Sequence, residues 1–180
     1  MVLAFLALGA SKSVGRQALA ATAQVGEGSV RTMLKKFRRA GLVGVDSAGI
    51  RLTQKGVRLY ETVGKKLTPP VILHGSTLTV GRSQAGVVVR SAGGAISNGI
   101  KQRDASVRSG AEGANSYVFR AGKFTVPNGS SDCEKDFPTG TWAELREELD
   151  PREGDAIIVC GAGDETGAKL GAVAAALSIL

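Results

Sequence analysis

Arg31, Lys35, Lys36, Arg38 and Arg39 put five cations into nine residues, and no acid interrupts them. Such a cluster attracts an anionic partner, with guanidinium forks that bond two acceptors at once and ammonium groups that act as point charges. Val30, Met33, Leu34 and Phe37 recur between them at i, i+3, i+4 and i+7, the spacing of one apolar stripe on a helix. The stretch Gly28 to Ala40 therefore reads as a helix whose apolar face is held by a small core and whose cationic face is free. In a DNA major groove, the first two turns of such a helix present Ser29, Arg31, Thr32 and Lys35 to base edges. Arg31 is the residue suited to a guanine, while Lys36, Arg38 and Arg39, with Lys12, Arg16 and Arg51 elsewhere, suit phosphates.

Catalysis finds no comparable grouping. His74 is the only histidine, and Cys133 and Cys160 have neither Cys-x-x-Cys nor Cys/His spacing, so no catalytic residue and no metal site is expected. Gly161-Ala162-Gly163-Asp164-Glu165-Thr166-Gly167 follows an apolar run and opens a helix, but its Gly-x-Gly-x-x-x-Gly spacing is one residue longer than a dinucleotide fingerprint. Asp164 and Glu165 would repel a phosphate there and are better placed as caps of a helix. The chain is expected to be no enzyme and to need no cofactor. After the glycine-rich stretch Ser91 to Gly99, a helix carrying Lys101, Arg103 and Arg108 could face an anionic effector. Arg103 and Asp104 are the candidates for that contact, weighed against an exposed face with local ion pairs.

The elements around these residues follow from charge and patterning. The chain has 180 residues, 43 % of them apolar, and a net charge of +7, which admits one or two small domains. Residues 1–68 hold 12 Lys and Arg against 3 Asp and Glu, a balance of +9, whereas residues 69–180 hold 11 against 13, a balance of −2. The two segments have different partners, and Leu67 to Pro70 is the expected junction between domains 1–68 and 71–180. Val2 to Leu8 reads as a first helix. It resembles a signal-peptide core without the preceding cation, and neither it nor Leu170 to Leu180 reaches the roughly 20 residues that cross a bilayer. A soluble, cytoplasmic protein without membrane contact is expected.

Ser13 is placed to cap a second helix running through Gln24, with Leu19, Ala20 and Ala23 inward. Gly26 and Gly28 supply a tight turn before the basic helix. Leu42 to Val45 and Ile50 to Leu52 read as strands about the turn Asp46 to Gly49. Thr53 caps a further helix with Val57, Tyr60 and Val63 or Gly64 at helical spacing. In 71–180, Thr77 to Val80 and Gly86 to Arg90 read as strands. Ile100 to Ser109 reads as a helix with Ala105 inward and Val107 as a second inward candidate. Ser116 to Arg120 and Lys123 to Val126 read as a hairpin, Thr141 to Leu149 as a helix anchored by Trp142, and Ala156 to Cys160 as a buried strand. A final helix, Thr166 to Leu180, carries Gly167, Ala168, Gly171, Ala172 and Ala175 for close packing on a sheet or on a second copy.

The order helix, helix, helix, strand, strand, helix over residues 1–68 resembles the winged-helix DNA-binding domains of prokaryotic transcription regulators, with 42–52 as the wing on the DNA backbone. The fold class expected is α+β: a winged helix-turn-helix followed by a mixed α/β domain whose sheet is packed by helices. Gly26-Glu27-Gly28-Ser29-Val30-Arg31-Thr32-Met33-Leu34, the run Arg103 to Ala114, and Glu153-Gly154-Asp155-Ala156-Ile157-Ile158 are similar to a family of archaeal two-domain proteins. The resemblance implies a transcriptional regulator of double-stranded DNA. Its second domain would dimerise, sense a small-molecule effector, or both. The alternatives are a small nucleotide-binding protein or enzyme with a nucleic-acid-binding arm, and a winged-helix protein-interaction module.

Overall fold

A computed structural model describes residues 1–23 and 25–180. They form two compact units, Met1–Gly64 and Lys65–Leu180, so the division falls ahead of the junction read from composition. Gln24, the expected end of the second helix, lies outside the described residues.

The first unit contains α1 (Val2–Gly9), α2 (Arg16–Ala23), α3 (Glu27–Arg39), the antiparallel strands β1 (Val43–Asp46) and β2 (Gly49–Leu52), and α4 (Gln54–Lys66) up to Gly64. Phe5, Leu8, Leu19, Val30, Phe37 and Ile50 share one buried cluster, with the rings of Phe5 and Phe37 5.7 Å apart. Helices this short are marginal alone, and burial of their apolar faces holds them. Gly9 is small by necessity, because a Cβ there would run into the ring of Tyr60. Gly26 takes the position before α3 in extended backbone, so Gly28 lies inside the first helical turn and not in the expected turn. Gly41, at φ +70°, turns the chain out of the helix.

Two expectations in this unit are corrected. Ser13 does not cap α2: its hydroxyl donates to the Ala48 carbonyl at 2.5 Å, and Val14 exchanges 2.9 Å backbone hydrogen bonds with Ile50. Pairing with the hairpin keeps this segment extended, and α2 begins only at Arg16. Val57 is 41 % exposed. Gly56 takes the inward position instead, because α4 presses its backbone onto the Leu42 carbonyl, where a side chain would collide. Thr53 caps α4 as expected, accepting from the Gly56 amide at 3.1 Å, and donates to the Gly41 carbonyl at 2.6 Å.

The second unit is built on an antiparallel sheet in the order β3-β4-β7-β5-β6, from β3 (Val71–Leu73), β4 (Ser83–Val89), β5 (Gly113–Arg120), β6 (Lys123–Thr125) and β7 (Ala156–Ala162). Its helices are α5 (Ile100–Arg108), α6 (Cys133–Asp136), α7 (Thr141–Leu149) and α8 (Glu165–Leu177). The central strand β7 is buried throughout, as its unbroken apolar run requires. On one face α8 lies against β4 and β7, and α5 against β5. On the other, Trp142, Leu145 and Leu149 of α7 pack with Val88, Tyr117, Phe124 and Ile157. Ala121 and Gly122, at φ +49° and +75°, form the two-residue turn that matches the twist of β5 and β6.

Thr77 to Val80 is not a strand. The segment is a loop whose Thr79 carbonyl accepts from the Gln84 side chain at 2.6 Å, while Val80 presses its own carbonyl onto Gly161. Its place at the sheet edge is taken by Val71–Leu73. In α5, Ala105 is half-buried but Val107 does not face inward. Val107 is 43 % exposed, and Gln102 and Ser106 are buried instead, Gln102 donating to Ser178 Oγ at 3.4 Å and Ser106 to the Arg103 carbonyl at 2.8 Å.

Candidate nucleic-acid interface and a cavity in the second unit

Helix α3 brings Ser29, Arg31, Thr32, Lys35, Lys36, Arg38 and Arg39 to its exposed side, opposite buried Val30, Met33, Leu34 and Phe37. Among the described residues none of these cations, nor Lys12 or Arg16, is in an ion pair. Their charge is uncompensated by the protein, which leaves it available to an external anion. The Thr32 hydroxyl donates to the Gly28 carbonyl at 3.1 Å, which fixes its rotamer on the first turn. Lys12 and Arg16 are exposed ahead of and at the start of α2. Arg51 is different: it is exposed on β2 but sits 2.8 Å from Asp46 across the hairpin. Sequence reasoning passed over Lys55, whose ammonium donates to the Ala40 carbonyl at 2.9 Å and so meets the negative end of α3.

Arg103 and Asp104 belong to the second unit. A cavity of about 660 Å³ opens there, within the size of small-molecule sites. It lies where the hairpin ends: β6 pairs only with Val118–Arg120, and among the described residues no strand covers that edge of β5 from Gly113 to Tyr117. Arg103 lines the cavity and Asp104 does not. Tyr117 and Trp142, edge to face with centroids 5.1 Å apart, form an aromatic wall, and Ser116 forms another part of the lining. Burial pushes the Tyr117 phenol up to about 12, so it is neutral and faces the Leu78 carbonyl at 3.4 Å.

The other candidates are structural. His74 is exposed, with backbone and ring both bonded to Glu144, at 2.8 and 3.1 Å. Burial pushes the Cys160 thiol up to about 11 and raises that of Cys133, which keeps both protonated and unreactive. Gly161 and Ala162 end β7, and Gly161 is glycine because the Val80 carbonyl occupies the space of a Cβ. Asp164 caps α8 by accepting from the Gly167 amide at 2.7 Å. The segment read for a nucleotide loop is therefore a strand end and a capped helix.

Residues 80–179, more than half of the chain, match the family described as Domain of unknown function (DUF4443). The chain belongs to that family. Residues 3–67, ahead of the DUF4443 segment, match the domain described as CggR N-terminal DNA binding domain. This architecture is that of a DNA-binding regulator. A solved structure of a hypothetical protein from Pyrococcus horikoshii OT3 is similar to the chain, with a TM-score of 0.74 and 23 % identity, over 99 % of this chain and 92 % of that one. The likeness is one of fold, and it spans both units. Comparison with curated proteins finds no match. Among the described residues no helix is long and apolar enough to cross a membrane.

Within the DUF4443 segment, sequence reasoning missed Ser116 and saw Trp142 only as an anchor. A signal for Ser116 existed. It alternates in register with Ala114 and Val118, both buried, so it is a polar residue on an inward face.

Proposed function

We propose that the chain is a sequence-specific transcription regulator in which α3 enters the DNA major groove and the hairpin β1–β2 lies on the backbone as a wing. The DUF4443 unit dimerises, senses a small molecule, or does both. The observation that carries this reading is the cationic side of α3, in no ion pair among the described residues and set opposite its buried stripe, in a segment that matches a DNA-binding domain. Ser29, Arg31, Thr32 and Lys35 are assigned to base edges. Lys12, Arg16, Lys36, Arg38, Arg39 and Arg51 are assigned to phosphates. If the unit is dimeric, two copies of α3 one helical turn of DNA apart match a near-palindromic site.

The test is Arg31→Ala, measured by titration of a selected duplex and of its scrambled counterpart at one salt concentration. A bidentate guanine contact is worth about 1–3 kcal/mol, so affinity for the selected duplex falls by about that much while the scrambled duplex changes little. Equal losses on both duplexes would remove Arg31 from the base-reading set.

A further inference from the structure

The cavity beside β5 contains three features that nothing in the DNA reading uses. Ser116 is only 7 % exposed, and among the described residues its hydroxyl has no hydrogen-bond partner. A buried hydroxyl left without a partner is unfavourable, so in a folded protein it signals a missing partner. The amino end of α5 meets the same hydroxyl: a Cβ built on Gly99 would lie 3.6 Å from Ser116 Oγ. Asn98 Oδ1 takes the Ile100 amide and the Gly99 carbonyl takes that of Arg103, and among the described residues the amides of Lys101 and Gln102 in the first turn have no partner. Arg103, in that turn, lines the cavity and is in no ion pair among the described residues.

We propose that this cavity binds a small aromatic carboxylic acid. The carboxylate is held by Arg103 and the amino end of α5, with the Ser116 hydroxyl donating to it, and the ring packs against Tyr117 and Trp142. A helix amino terminus and a guanidinium both favour an anion. Arg103 is the one cation in the described lining and matches a single negative charge, while Asp136, the acid in the same lining, opposes the second charge of a dianion such as phosphate. The body of the ligand is apolar and flat because Tyr117 and Trp142 give the lining an aromatic wall, and because Phe137, 62 % exposed, and Ile100, 57 % exposed, add apolar surface to the same lining that a ring would cover. This deepens the effector half of the reading above and is measured without DNA.

Trp142 is the only tryptophan in the chain, so its emission reports on the site directly. The full chain is titrated with phenylacetate, 3-phenylpropionate and cinnamate, then with phenylacetamide, phenethylamine and inorganic phosphate, by fluorescence and calorimetry. The acids are expected to saturate with a change in Trp142 emission, and the uncharged amide to bind about tenfold more weakly. Arg103→Gln is expected to remove that preference, weakening the acids about tenfold and leaving the amide unchanged, and Ser116→Ala to weaken the acids several-fold. The proposal is overturned if no acid saturates, if acid and amide bind alike, or if phosphate alone binds. Duplex retention is read on the same preparation. Protein that retains DNA but takes no acid overturns this inference alone, whereas protein that takes acid but ignores DNA overturns the regulator reading alone.

Discussion

Asp155 shows what a single side chain does for the second unit. It is 1 % exposed and accepts from Arg90 Nη1 at 2.6 Å, the Ser91 amide at 2.8 Å and the Arg152 amide at 2.9 Å, tying the ends of β4 and β7 together. Asp155→Ala takes the carboxylate from a part-buried guanidinium, which keeps only the Asp150 and Leu149 carbonyls, and leaves two amides without their acceptor, so denaturant unfolding should show a loss of about 3 kcal/mol. A loss below about 1 kcal/mol would mean that water replaces the carboxylate. Residues of this kind are poorly legible in sequence. The run Glu153 to Ile158 carried a family resemblance, but the partner Arg90 stands far away in the chain and no periodicity points to it. The side of α3 was legible because its information is local: four apolar residues at helical spacing fix which way Arg31, Lys35 and Arg39 face.

At the scale of elements, close approach decides what the small residues do. Helix α8 was read as free to meet a sheet or a second copy, and it lies on its own sheet, with Ala168, Ala172 and Ala175 fully buried. Gly171 is the tightest point: a Cβ there would collide with Cys160 Sγ and come within 2.7 Å of the Ala111 Cβ. Gly171→Ala should therefore lower stability by about 1–3 kcal/mol in spite of the better helix propensity of alanine, as read from thermal melts. An unchanged or raised melting temperature would show that α8 stands further from β7 than described. Strands and helices with strong patterns, such as β7, α7 and the hairpin β5–β6, were legible from periodicity and turn residues. Thr77 to Val80 was not, because its β-branched composition is that of a strand while its backbone is satisfied by the side chain of Gln84. The cavity was invisible because it is tertiary, existing only where β6 stops and the amino end of α5 meets β5.

Across the whole chain, charge separates the two segments: +9 in residues 1–68 and −2 in residues 69–180. Neutralising phosphates with the cations of α3 releases counterions, so log affinity should fall linearly with log salt, by roughly 0.9 for each phosphate contacted. Arg39→Ala should lower affinity on every duplex and reduce that slope by about 1, whereas Arg103→Gln should leave the slope unchanged. Equal slopes for the native protein and Arg39→Ala would take that side chain off the phosphates. The regulator proposed above requires the basic side of α3 to read sequence and to do more than attract charge. Its most direct test is selection of bound duplexes from a random pool by the full chain, at about 0.15 M salt, where the screening length is about 8 Å. One enriched motif is expected, bound at least about 1,000-fold more tightly than bulk DNA and lost with Arg31→Ala. A pool that stays random after repeated rounds, with every duplex bound alike, would contradict it.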